Sequence, residues 1–141
     1  MPEVTGYQTA ISRKTPPEPI RWLNKQGLLK GRVLDYGSGR NCWLGMICYD
    51  PHWRPSKPRG KFDTVVCCYV LNVVTPAAQT QIIRAIHGYL KAGGHAYFAV
   101  RRDIPKSGKE GRGTFQRYVV LPTTSISKTG TREIYRMGRL V

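Results

Sequence analysis

The run Phe62-Asp63-Thr64-Val65-Val66-Cys67-Cys68-Tyr69-Val70-Leu71-Asn72-Val73-Val74 constrains this chain more than any other segment. It is almost continuously apolar and rich in valine. A strand apolar at successive positions, rather than alternate ones, turns both faces toward a core. Both faces then need cover, and the sequence supplies it. Thr75-Pro76 reads as a helix cap followed by proline in the first turn, where a missing N–H costs nothing. Ala78, Ile82, Ile86 and Leu90 fall on one helical stripe, with Ile83 and Tyr89 alongside. Gly93-Gly94 predicts the helix stop, and 95–100 a further strand.

The same grammar extends in both directions. Thr15 and Glu18 stand in capping-box relation, with Pro16 and Pro17 in the first turn, so 16–26 is predicted as a short helix. Arg32-Val33-Leu34-Asp35-Tyr36 is a short buried strand ending at Gly37, and Met46-Ile47-Cys48-Tyr49-Asp50 is a second, stopped by Pro51. Three prolines make 51–60 a loop. Beyond the 95–100 strand, 101–117 is a basic, glycine-containing loop. The strand-like runs 118–121, 126–129 and 133–137 follow, the last two joined by a Gly130-Thr131 turn as an edge hairpin. The expected class is α/β: a mostly parallel sheet with a C-terminal antiparallel hairpin, in a single domain over 1–141 with 1–14 as an N-terminal arm.

Twenty-three Lys and Arg against eight Asp and Glu give a net charge of +15 on 141 residues. That field favours polyanions, above all nucleic acid, through phosphate neutralisation. The length leaves no room for separate cofactor and substrate lobes. No apolar run approaches the roughly 20 residues of a membrane span, and no leader of basic-then-apolar form opens the chain. A cytoplasmic protein is expected. Cys42, Cys48, Cys67 and Cys68 form no CxxC pair and have no histidine at zinc spacing. They read as small buried residues in a reducing compartment, neither a disulfide framework nor a metal site.

In so basic a chain the few acids are informative. Asp35 and Asp50 end the first two strands, and Gly37-Ser38-Gly39 follows the first. One such aspartate alone is most simply a turn residue. Two at successive strand ends, with a glycine turn that lets a ligand approach the backbone, suit a nucleoside whose ribose hydroxyls need an acceptor. The GxGxxG dinucleotide pattern fails, since Cys42 stands at its third glycine, and no Walker loop is present.

Val33-Leu34-Asp35-Tyr36-Gly37-Ser38-Gly39 resembles the first motif of class I S-adenosylmethionine-dependent methyltransferases. Tyr49-Asp50-Pro51 is similar to the acidic end of their second strand, Phe62-Asp63-Thr64-Val65-Val66 through Leu71-Asn72 to their fourth, and Leu90-Lys91-Ala92-Gly93-Gly94-His95-Ala96-Tyr97 to the start of their fifth. More narrowly, Thr9-Ala10-Ile11-Ser12-Arg13, Tyr49-Asp50-Pro51-His52-Trp53, Tyr69-Val70-Leu71-Asn72-Val73-Val74, and Gly113-Thr114-Phe115-Gln116-Arg117 with Ile134-Tyr135-Arg136 resemble small methyltransferase-like proteins of phage, bacterial and environmental sequences, some described as associated with DNA phosphorothioation. The resemblance implies a reduced Rossmann-like sheet. It implies S-adenosylmethionine as cofactor: Asp35 on the methionine ammonium, Tyr36, Gly37 and Gly39 beneath the amino-acid part, Asp50 on the ribose, Pro51 beside adenine, and Cys68 and Tyr69 on the transfer side. Three departures stand out. Asn41 replaces the third family glycine, and the crossover from Tyr36 to Gly45 has room for one helical turn at most. The usual third strand is absent. The shortened sheet implies weak cofactor affinity or dependence on a partner, either a second copy of the chain or another protein.

The function expected from these readings is methyl transfer to nucleic acid, DNA or RNA. Tyr69 and Asn72 are the catalytic candidates, being hydrogen-bonding groups at the right strand end; ordinary strand-exit packing is the competing account of both. Arg101, Arg102, Lys106, Lys109, Arg112 and Arg117 are the expected nucleic-acid contacts, helped by Arg13 and Lys14, against a plain solvated loop. Trp53 offers a ring for base stacking or for packing on its own domain. No metal site is expected. The alternatives are a non-catalytic nucleic-acid-binding module on a shortened methyltransferase fold and a small-molecule methyltransferase.

Overall fold

The computed structural model describes residues 14–43, 45–111 and 113–140. The Val-rich run forms β3 (Phe62–Cys68), flanked by β1 (Val33–Tyr36) and β4 (Leu90–Arg101). With β2 (Ile47–Tyr49), β7 (Thr124–Lys128) and β8 (Arg132–Gly138) these make one six-stranded sheet, in the order β2-β1-β3-β4-β8-β7. The first four are mutually parallel, and β8 runs antiparallel to both β4 and β7. A separate two-stranded ribbon, β5 (Lys109–Gly111) with β6 (Thr114–Gln116), lies within the expected basic loop.

Each face of the sheet has its own core. Helix α2 (Pro76–Tyr89) lays Ala78, Ile82 and Ile86 on one face, against Leu34, Val65, Cys67, Ala96 and Phe98. Thr75 caps it, its hydroxyl accepting from the Ala78 N–H at 3.2 Å. Helix α1 (Glu18–Lys25) covers the other face with Ile20 and Leu23, against Val66, Tyr97, Ala99 and Ile134. Burying each of these two side chains is worth roughly 1.5–3 kcal/mol.

Several expectations need correction. Helix α1 begins at Glu18 with Pro17 at its cap and no side-chain capping bond. The Glu18 carboxylate leaves Thr15 and takes the Arg132 guanidinium instead, at 2.7 and 3.2 Å. Arg132 has only 2% of its side chain exposed and also donates to Ser127. A buried guanidinium demands such a partner, and meeting that demand outweighs a helix-end bond. Leu90 opens β4, which pairs it with Phe62, so α2 stops at Tyr89 and the expected Gly93-Gly94 helix stop lies inside the strand. Residues 118–121 form no strand, although Val119 and Leu121 are core.

The crossover between β1 and β2 contains no helix among its described residues. It is held by backbone bonds from Gly37 and Ser38 to the Tyr49 carbonyl, at 2.7 and 3.0 Å. A disulfide between Cys42 and Cys48 closes the loop from below. The expectation of buried cysteines without a disulfide therefore fails at these two, and Cys42 is exposed. The loop returns Cys42 to β2 with a Cα–Cα distance of 5.9 Å, within bridging range. Cys67 is buried as expected, Cys68 only half-buried, and neither is disulfide-bonded. Among the described residues no helix is long and apolar enough to cross a membrane.

Candidate functional site

Parallel pairing brings the carboxyl ends of β2, β1, β3 and β4 to one edge, where open α/β sheets bind ligands. That edge carries Gly37-Ser38-Gly39 after β1, Asp50 to Trp53 after β2, Tyr69 after β3, and Arg101 ending β4.

Asp35 lies one residue before the end of β1, opposite Cys48 of β2 and Val66 of β3. Its neighbours Leu34 and Tyr36 face the α2 core, so alternation sends Asp35 to the α1 side. It is 2% exposed, and its Oδ1 has no hydrogen-bond partner among the described residues. Burial, reinforced by the nearby charge of Asp50, pushes its carboxyl up to about 7. A charge so enclosed invites either a proton or an external cation.

The turn beyond it needs its glycines. Gly37 and Gly39 have φ of 86° and 67°, a region side chains rarely tolerate. A Cβ on Gly37 would also lie 2.3 Å from Val70 Cγ2. Asp50 ties this turn to its own. Its Oδ2 accepts the Gly39 N–H at 2.8 Å, and its Oδ1 accepts the His52 and Trp53 N–H groups at 2.9 and 3.0 Å. The backbones of Asp50 and Arg54 bond reciprocally at 3.0 Å. Asp50 is thus a brace between two loops, with an acceptor position left on Oδ2. Pro51 follows it, half-buried.

Tyr69 is the one non-glycine residue of positive φ, 60°, among the described residues. Its N–H donates to the Ala99 carbonyl at 2.9 Å, which fixes the strained turn at the end of the central strand. Such strain in an aromatic residue at a ligand-binding edge is itself a pointer to function. The Arg101 guanidinium lies 5.8 Å from the Tyr69 ring centre. Burial raises the phenol above its ordinary range, so it stays protonated. Cys68, half-buried, packs on the α1 side with Cys48 and Trp43.

Other expected site residues lie elsewhere. The Tyr36 ring is core, 5.0 Å from Tyr49, leaving only its backbone for a ligand. Asn72 is buried in the 3-10 turn Leu71–Val73, with Nδ2 on Gln116 at 3.4 Å and Oδ1 unpartnered among the described residues. Arg102 is a structural residue rather than a surface contact. Its side chain is 3% exposed, bonded to Glu133 at 2.8 Å, to the Val119 carbonyl and to the Tyr135 hydroxyl, and stacked on Tyr118. Arg117 turns inward to the carbonyls of Leu71 and Val74 and to Gln79. Arg101 pairs bidentately with Asp103. Lys14, Lys106 and Lys109 are exposed; Arg13 and Arg112 lie outside the described residues. Reading the sequence missed Arg132 and Glu133, whose partners are too distant along the chain to leave a local signal. Among the described residues no cluster could hold a metal ion.

No protein-family profile matches the chain, and no curated protein does. The fold does have solved counterparts. Magnesium protoporphyrin IX methyltransferase (ChlM) from Synechocystis PCC 6803 with bound SAM matches with a TM-score of 0.50 at 16% sequence identity, over 86% of this chain and 76% of that one. The same enzyme with bound SAH gives 0.48 at 16% identity, over 86% and 80%. The chain thus has a class I methyltransferase-like fold: a mixed α/β sheet, mostly parallel, with antiparallel C-terminal strands.

Proposed function

We propose that this chain is an S-adenosylmethionine-dependent methyltransferase acting on nucleic acid. The observation that carries the reading is Asp35, a wholly enclosed carboxyl with an unpartnered oxygen, set behind a glycine turn at the ligand-binding edge of this fold. A buried carboxylate needs a cation, and a protein of +15 attracts one only where its field is locally reversed. The residues fit the cofactor. Asp35 would take the ammonium, the backbone at Gly37 and Gly39 the amino-acid part, and Asp50 a ribose hydroxyl on the acceptor position left beside the Gly39 N–H. Pro51 would flank adenine. The cofactor supplies an electrophilic methyl group on its sulfonium.

In-line displacement needs alignment above all, and that is what the chain's own residues provide. The Tyr69 backbone is held by the Ala99 carbonyl, which anchors the residue at the exit of the central strand. A phenol kept protonated by burial orients an acceptor by hydrogen bonding and does not remove its proton. Asn72 braces this exit from the α2 side, its carbonyl accepting the Arg117 N–H at 2.6 Å. The cationic surface supports a polyanionic substrate.

Isothermal titration with S-adenosylmethionine tests the first half. Binding by the wild type, lost in Asp35→Asn and weakened in Asp50→Ala, is expected; no heat above background for the wild type refutes it. A second reading is a binding module without chemistry. It is favoured by the crossover, whose described residues form no helix, and by the three backbone N–H groups already on the Asp50 carboxylate. Incorporation of labelled methyl groups into mixed nucleic acid separates the two.

A further inference from the structure

We infer that the tip of the β2 loop, Trp53 with Arg40 and the cations that follow it, is a stacking platform for unpaired nucleic acid. The inference rests on the nucleic-acid reading above and assigns its surface. Between Tyr36 and Phe62 the chain has five Lys or Arg (Arg40, Arg54, Lys57, Arg59, Lys61) and a single acid, Asp50. Both Asp50 oxygens accept backbone N–H groups, and among the described residues no salt bridge reaches any of the five cations. All five are exposed. Of the five, Lys61 donates to the Gly88 carbonyl and Arg54 to the Arg40 carbonyl, partners that carry no charge, whereas Arg101 and Arg102 are ion-paired and Arg117 is held by three acceptors within the chain.

The platform is built in advance. Trp53 is 37% exposed. The Asp50 carboxylate holds its N–H, and the Asp50–Arg54 backbone pair closes the turn beneath it. The Arg40 guanidinium lies 4.4 Å from the Trp53 ring centre, and Arg54 reaches back to the Arg40 carbonyl at 3.4 Å. Pro51, Pro55 and Pro58 restrict the segment further. A fixed aromatic ring beside the Arg40 and Arg54 guanidinium groups suits a base with a free face and the phosphates on either side of it. A duplex hides its base faces, so a single strand is the occupant. The brace that fixes Trp53 also fixes Gly39, which puts the stacked strand next to the glycine turn.

The probe is a fluorescein-labelled single-stranded DNA of about twelve nucleotides, within the usual site sizes of such proteins, read by anisotropy across a salt series. The duplex of the same sequence is the comparison. Trp53→Ala should weaken single-strand binding roughly 5- to 150-fold, the range set by loss of one stacked base, while leaving the salt slope unchanged. The triple variant Arg54→Gln, Lys57→Gln, Arg59→Gln should lower that slope by about 2, at roughly 0.7 per phosphate contact. All three positions are exposed and outside the core, so this variant remains informative should Trp53→Ala misfold. Wild-type binding that neither variant alters overturns the platform and leaves the nucleic-acid reading standing. Preference for the duplex also overturns it. Failure of the wild type to bind either probe at low salt removes both.

Discussion

Asp35→Asn should flatten the dependence of stability on pH. The carboxyl's ordinary value is 3.8 and its folded value about 7. Between those limits the folded chain keeps a proton that the unfolded chain has released. Unfolding free energy then falls by about 1.4 kcal/mol per pH unit. The contribution is fully present below the unfolded value and is lost as pH rises through the folded one. It amounts to on the order of 4 kcal/mol over the whole interval, of which about 3 kcal/mol falls between about pH 5 and pH 8. Asparagine has no proton to lose. Its amide adds two buried donors, so the variant's absolute stability carries an offset, and the slope is the quantity to read. Urea denaturation of both proteins at a series of pH values gives it. The difference, variant minus wild type, should grow by about 3 kcal/mol over that window. Parallel curves would refute the claim that Asp35 is enclosed without a partner. S-adenosylmethionine at saturation should shrink the difference by stabilising only the wild type.

The same linkage predicts that cofactor binding near neutral pH releases roughly half a proton, seen as a dependence of calorimetric heat on buffer ionisation enthalpy, and that affinity rises from acid to alkaline pH. Glu18→Ala leaves Arg132 buried without its carboxylate and should cost about 3 kcal/mol, whereas Arg132→Met, which removes the buried charge, should cost less; chemical denaturation ranks them. Tyr69→Phe should lower labelled-methyl transfer by roughly 3- to 10-fold, as for one lost hydrogen bond, with cofactor affinity unchanged. Thr75→Ala should lower the unfolding free energy by about 1 kcal/mol through loss of the α2 cap.

What could be read from the chain beforehand was local or periodic. The valines of β3, the Thr75-Pro76 cap and the Ile82 and Ile86 stripe each announce an element within a few residues. The Gly37 and Gly39 turn was equally plain, since only glycine takes such angles cheaply. What escaped reading depends on separation. Cys42 and Cys48 carry no spacing signature, and only the return of the loop brings them together. Glu18 looked like a capping residue because its true partner lies 114 positions away. Arg102 and Arg117 resemble the surface cations around them, and burial alone distinguishes them. Trp53 was visible as an aromatic residue in a loop, but not the carboxylate that immobilises it.

The clasp between Glu18 and Arg132 bears on how the molecule is made. Helix α1, which roofs the Asp35 side of the sheet, is synthesised well before the arginine that fastens it, 114 residues further on, and before Ile134 on which it rests. A nascent chain that has reached β4 holds its central strands, yet the helix over Asp35 is still unfastened. Closure over Asp35 therefore waits on β8, and a chain stopped before Arg132 would leave α1 unfastened above that acid.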